Sequence, residues 1–269
     1  MKGIIGAIAG DTIGSAYEFN PTRDYDFELF TPESTYTDDT VLTMANAVWL
    51  MEDEQHTPER LVAIMQDFCL RYPGRGYGGS FARWIGMPNP EPYNSFGNGS
   101  AMRVSPVGFY ARTLDEALAL AKISAEVTHN HPEGIKGAQA TAAAIFLARQ
   151  GKTKEEIKEY ITTTFAYDLS RTLEQIRPDY YFNEICQTTV PEAITCFLEG
   201  KDYEDVIRLA VTLAGDADTL AAIAGPMASA TMDVPNEISQ RVVALLSEEF
   251  CSDLMRFNAL VAERESQQP

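Results

Sequence analysis

In one stretch after another of this chain, apolar residues recur at three- and four-residue spacing. The stretches are residues 38 to 52, 57 to 71, 113 to 127, 134 to 150, 153 to 165, 188 to 199, 202 to 213, 218 to 231 and 235 to 248. That period puts an apolar stripe on one face of a helix, whereas a half-buried strand needs alternation. Clear alternation is absent, so the sequence predicts an all-α protein. Helix starts are marked by Thr57 before Pro58, by Thr113 and by Thr153, whose hydroxyls can accept an orphan N–H of the first turn.

Helices 134 to 150 and 218 to 231 carry the alanine- and glycine-rich runs GAQATAAAIFLA and DTLAAIAGPMASA. Small side chains allow neighbouring backbones to approach closely, so both are expected at the centre, with Pro226 bending the second. Residues 72 to 108 are dense in glycine, proline and aromatics and read as a long irregular loop, a kind of segment that is usually functional. The polar tail ERESQQP is expected to fray. No low-complexity tract divides the chain, which is read as one domain over residues 1–269.

Charge narrows the partners. With 45% apolar residues in 269 the chain can bury a sizeable core, but its net charge is −18. Nucleic-acid polymers and anionic membranes select basic faces, so both are excluded as partners. A phosphate-bearing small ligand stays compatible if some carboxylates hold divalent cations, because a bound ion inverts the local charge. The cysteines, Cys69, Cys186, Cys196 and Cys251, form no C-x-x-C pair and read as reduced, buried thiols. The start, MKGIIGAIAGDTIGSAYEF, has a short apolar run that Asp11 interrupts, and it reads as a first helix of the fold rather than a secretory signal. No stretch approaches the roughly 20 apolar residues of a membrane span, and a cytoplasmic location is expected.

Two acidic motifs stand at helix starts. Thr37-Asp38-Asp39-Thr40 precedes VLTMANAVWL, and Gly215-Asp216-Ala217-Asp218-Thr219 opens an alanine-rich helix. Each has an ordinary explanation as an N-cap with carboxylates on the positive end of the dipole. Each also offers hard oxygen donors of the type magnesium selects. Packed together, they would concentrate four carboxylates and two hydroxyls, which repel and take up protons unless cations enter. Two magnesium ions would resolve such a cluster.

Three further segments are weaker alone. Gly6 to Glu18 is a glycine-spaced helix suited to close packing. Ser95-Phe96-Gly97-Asn98-Gly99-Ser100 brings backbone N–H groups that can approach phosphate, with Phe96 or Tyr93 available to stack on a base. Thr128-His129-Asn130-His131-Pro132-Glu133 has an H-x-H-x-E pattern, but the only other histidine is His56, so a hydrogen-bonding role outweighs a transition-metal site.

Taken in order, GAIAGDTIGSAYE, YTDDTVLTMA, GNGSAMRVSPVG, THNHPEG and GDADTLAAIAGP resemble the ADP-ribosylglycohydrolase family over nearly the whole chain. The resemblance implies an all-α orthogonal helical bundle with a binuclear magnesium cleft. It implies Thr37, Asp38, Asp39, Asp216, Asp218 and Thr219 as metal ligands, and Glu18 as a mobile glutamate beside the metals. By the same resemblance Ser95, Phe96, Gly97, Asn98 and His129 contact substrate, and Glu18, Asp38, Asp39 and Asp216 form the catalytic set. Ala217 departs from the threonine that the family often carries between the two late aspartates.

The implied activity is magnesium-dependent hydrolysis of the bond joining ADP-ribose to a modified protein side chain, with arginine favoured over serine. Its partner is an ADP-ribosylated protein or a small ADP-ribosyl compound, and the loop 72 to 94, with Arg75, Tyr77 and Arg83, is expected to shape that choice. Two other readings remain open: an inactive ADP-ribose-binding or crystallin-like structural protein, and a phosphohydrolase that cuts the diphosphate itself.

Overall fold

A computed structural model describes residues 2–267. Helices account for nearly all the regular structure. Among the described residues, the only pairing of β type is a single bridge between Gly97 and Ile185, and no helix is long and apolar enough to cross a membrane.

The helix Ala217–Thr231 sits at the centre. It is buried from Ala217 through Ser229 and packs against the helices Ile5–Gly14, Pro132–Arg149, Cys186–Glu199 and Tyr203–Val211. Its small side chains explain the crowding. Against Ile5–Gly14 the two backbones nearly touch: a Cβ built on Gly10 would lie 2.2 Å from the carbonyl oxygen of Ala221, and one on Gly14 would lie 2.5 Å from Cα of Asp218. Only glycine permits that approach.

The helix Asp38–Glu52 is buried from Asp39 to Leu50 and packs on Pro58–Arg71 and on the last helix, Glu248–Ser266. Thr37 accepts a hydrogen bond from the N–H of Asp39 at 3.3 Å, so the capping explanation holds at this start. Thr57, Thr113 and Thr153 also cap their helices as expected.

Four expectations are corrected. The stretch 72 to 108 is not structureless: it holds the short helices Gly79–Ile85, Gly99–Met102 and Ser105–Tyr110. The periodic stretch 235 to 248 breaks after Leu245, and Ser247 opens a separate helix, Glu248–Ser266, by accepting from the N–H of Phe250 at 3.2 Å. That helix carries the tail through Ser266, held because Phe250 stacks on Tyr72 with ring centroids 4.4 Å apart and Phe257 is buried; Gln268 and Pro269 lie outside the described residues. The fourth is Cys251, half-buried rather than buried, while Cys69, Cys186 and Cys196 are buried free thiols.

Candidate active site

The two acidic motifs meet in one cleft. Thr219 Oγ1 lies 3.3 Å from Asp39 Oδ2, joining the start of Ala217–Thr231 to the start of Asp38–Glu52. Ligand oxygens of Glu18, Asp216 and Asp218 lie within 4.8 Å of one another. The cleft encloses about 270 Å³, and Glu18, Asp38, Asp39, Asp216, Asp218 and Thr219 all line it. Thr37 lies just behind, its hydroxyl 3.5 Å from Asp39 Oδ2.

Asp216 shows that capping does not explain the second motif. It occupies the N-cap of its helix but makes no side-chain capping bond. Its Oδ2 instead accepts from Asn98 Nδ2 at 2.7 Å, and Asn98 is held by a second bond to Thr189 Oγ1 at 3.2 Å. Asn98, expected to touch substrate and lining the cleft, also orients a carboxylate.

Asp11 is the residue that the motif reading missed. Fully buried in the first helix, it accepts from Thr37 N at 2.9 Å, Thr37 Oγ1 at 2.7 Å, Thr40 N at 3.1 Å and Thr40 Oγ1. It ties the first helix to the start of Asp38–Glu52 and fixes the Thr-Asp-Asp turn. An acidic residue inside an otherwise apolar helix was the available signal. Glu184, which lines the cleft mouth, had no such pattern around it.

Concentrated carboxylates resist ionisation together. Burial raises the pKa of Asp38, Asp39 and Asp218 well above the usual range, with neighbouring carboxylates adding to it. Burial, then Asp218 and Glu184, lifts Glu18 to about 8; burial lifts Asp216 to about 7 and Asp11 to about 6, against the hydrogen bonds those two accept. Asp39 Oδ1 is buried with no hydrogen-bond partner among the described residues. An orphaned buried oxygen amid oxygen-only donors fits a hard divalent cation, whose charge would offset the repulsion.

The substrate-facing segments divide. Ser95, Gly97, Asn98, Gly99 and His129 line the cleft. Phe96 does not; its ring is 43% exposed and meets His131 edge-on at 5.2 Å. His131 caps the helix Pro132–Arg149, its Nδ1 accepting from Glu133 N at 3.1 Å, which accounts for the second histidine of H-x-H-x-E. From the loop 72 to 94 the cleft takes Gly76, Gly78, Gly79, Ser80, Phe81 and Tyr93. Arg75 instead stacks over Tyr36 at 3.8 Å, Tyr77 bonds the carbonyl of Tyr72 at 2.7 Å, and Arg83 bonds Ser80 at 3.0 Å.

Comparison with known proteins shows the family and the fold. The family model described as ADP-ribosylglycohydrolase matches residues 1–269. An uncharacterized protein of Archaeoglobus fulgidus is 29% identical, covering 84% of this chain and 85% of its own. The ADP-ribosylhydrolase ARH3 of Homo sapiens is 26% identical over 84% of this chain and 83% of its own. The ADP-ribosylarginine hydrolase Tri1 of Pseudomonas putida is 28% identical over 86% and 70%. A solved structure titled ADP-ribosylglycohydrolase-related protein complex superposes with a TM-score of 0.72 at 24% identity, covering 96% of each chain, and supports the all-α fold. The chain belongs to the ADP-ribosylglycohydrolase family.

Proposed function

We propose that the protein is a magnesium-dependent hydrolase of the glycosidic bond between ADP-ribose and a modified side chain, with arginine favoured over serine. The observation that carries this reading is the convergence of oxygen side chains from two helix starts around the orphaned Asp39 Oδ1. Thr37, Asp38, Asp39, Asp216, Asp218 and Thr219 would hold two magnesium ions. Bound there, the metal supplies positive charge that polarises oxygen ligands and lowers the pKa of water.

The chain's own residues do the rest. Asn98 holds Asp216 Oδ2 in place, and Asp11 holds the Thr37 turn, so the carboxylates need little reorganisation as charge develops. Cleavage at the anomeric carbon passes through an oxocarbenium-like state that the nearby carboxylates stabilise. Glu18, half-buried at the cleft mouth, is suited to carry a proton at its carboxyl oxygen to or from the scissile linkage. Together Glu18, Asp38, Asp39 and Asp216 make up the catalytic set in this reading. Ser95, Gly97 and His129 bind substrate from the opposite wall. The reading treats the chain as a single domain working in the cytoplasm.

The arginine preference is supported by charge: Glu18 and Glu184 stand at the mouth and suit a cationic leaving group. The experiment is mass spectrometry of products from ADP-ribosyl-arginine and ADP-ribosyl-serine peptides, with magnesium and with a chelator. Metal-dependent release of intact ADP-ribose, abolished in Asp216→Ala with the helical circular dichroism retained, is the expected result. AMP and ribose phosphate as products would mark a phosphohydrolase. ADP-ribose bound without turnover would mark a binding protein.

A further inference from the structure

Beside the cleft mouth two aromatic side chains stand in solvent, Phe19 at 82% exposed and Phe182 at 40%, while Tyr181, 74% exposed, lines a separate hollow with Arg171 and Glu192. Isolated exposed aromatics need no explanation, but a cluster of them marks an interaction site. Phe19 and Phe182 come from segments far apart in sequence, yet their ring centroids lie 6.2 Å apart with planes tilted by 33°.

The pairing is built into the fold. Arg23, four residues after Phe19, donates from Nη1 to the carbonyl of Arg177 at 2.8 Å and from Nη2 to the carbonyl of Tyr180 at 3.4 Å, clamping the two loops together. On the far side of Phe182, Asn183 Nδ2 donates to the carbonyl of Tyr181 at 3.0 Å. The carbonyl of Glu184 then accepts from the N–H of Asn98 at 2.9 Å. The aromatic loop is thus fastened at one end to the first loop and at the other to the residue that holds Asp216.

Carboxylates flank these rings. Glu18 precedes Phe19, Glu184 follows Phe182 by two residues, and both line the cleft. Among the residues lining the cleft, the one arginine or lysine is Arg103, which is fully buried at its inner wall. Arg23 has its guanidinium engaged by the two carbonyls.

We propose that Phe19 and Phe182, with Glu184 beside them, are a docking rim for the leaving-group side of the substrate, a guanidinium-bearing, basic peptide segment. Guanidinium is planar and weakly hydrated, stacks on aromatic faces, and pairs with carboxylate in a forked geometry. The rim offers both partners to one group. A nucleotide fits it poorly, because Glu18 and Glu184 would repel the diphosphate. The net charge of −18 favours a basic partner over the whole approach.

This inference rests on the glycohydrolase reading for the kinetic part of its test, and a binding measurement keeps the two separable. The test compares the wild type with Phe19→Ala/Phe182→Ala and with Glu184→Gln, using an ADP-ribosyl-arginine peptide with basic flanks and free ADP-ribose. The expected result for the double variant is a KM for the peptide raised about tenfold, with kcat and the Kd for ADP-ribose changed by less than about twofold. An unchanged KM overturns the proposal. So does a Kd for ADP-ribose that weakens in parallel, since the rim would then belong to the nucleotide. Calorimetry with the unmodified basic peptide, in magnesium and ADP-ribose, reads the rim without turnover: binding by the wild type and loss in both variants supports it, and equal binding by all three sinks it. Failure of the wild type to hydrolyse any ADP-ribosyl peptide would count against the activity and leave that binding comparison to judge the rim.

Discussion

Thr128 Oγ1 lies 2.7 Å from Nδ1 of its neighbour His129, and the direction of that bond is fixed from behind. Arg103 Nη2 donates to the same Oγ1 at 2.8 Å, which leaves the hydrogen of this buried hydroxyl to be placed, and Nδ1 is the acceptor in reach among the described residues. The hydroxyl hydrogen of Thr128 is therefore directed to Nδ1, leaving the ring hydrogen on Nε2, which faces the cleft beside Gly97 and Gly99. Burial, with Arg103 nearby, holds the His129 pKa well below its ordinary value, so the ring is a neutral donor. Thr128→Val is expected to scramble the tautomer in nitrogen NMR and weaken ADP-ribose binding about tenfold, the size of one neutral hydrogen bond. Thr128→Ser restores both. An unaltered tautomer in the valine variant would refute the relay.

Asn98→Ala removes the amide that holds Asp216 Oδ2 and leaves the carboxylate free to turn. Residues that orient metal ligands affect metal affinity or activity by about 10- to 100-fold, and a loss in that range is expected here, with the melting temperature of the metal-free protein nearly unchanged. Magnesium titration followed by activity checks it; an affinity equal to wild type would remove Asn98 from this role.

The metal-free protein should be less stable at pH 8 than at pH 5. Asp11, Asp216 and Glu18 have folded pKa values raised to about 6, 7 and 8, chiefly by burial. In the unfolded chain these carboxyls release their protons near about 4. Raised folded values mean that stability is fully present below the unfolded pKa and is lost as pH rises through about 6 to 8. Thermal melts in chelator measure this directly. Magnesium at the upper end of the range is expected to restore the melting temperature, and a metal-free melting temperature that climbs with pH would contradict the assignment.

Phe250→Ala should destabilise the fold by about 3–5 kcal/mol, as large-to-small changes at buried aromatics do. Phe250 is fully buried, between Tyr72, Phe68 and Tyr36. Urea unfolding at equilibrium gives the value, and a loss below about 1 kcal/mol would mean that the last helix is peripheral.

That last helix also shows where the sequence was hard to read. Its apolar residues, Phe250, Leu254 and Phe257, keep helical spacing, but charged residues dilute them, and continuity with the preceding periodic stretch hid the cap at Ser247. Helices whose small residues face several neighbours, such as Ala217–Thr231, were legible because composition alone marked them as central. In the candidate site, residues in compact motifs were legible, and Asp38, Asp39, Asp216 and Asp218 do converge on one cleft. Residues whose role comes from a distant partner were not: Asp11 bonds Thr37 and Thr40 from another helix, and Glu184 reaches the mouth because its carbonyl accepts from Asn98 N and its neighbour Ile185 bridges to Gly97. The arginines of the loop 72 to 94 were legible as charge but not in their contacts, since Arg75 is engaged with Tyr36 and Thr35.

The contact between Gly14 and Asp218 gives the first helix a second task. With no side chain between them, the distance from the first helix to the late acidic turn is a sum of backbone radii, a length that packing cannot compress and thermal motion varies little, and the same helix holds the early acidic turn through Asp11. A methyl group at Gly14 would shift Asp218 relative to Asp39 without altering any oxygen donor. The spacing of the carboxylates then depends on a glycine that brings no oxygen donor of its own, and changing that residue retunes the cleft as a shim retunes a gauge.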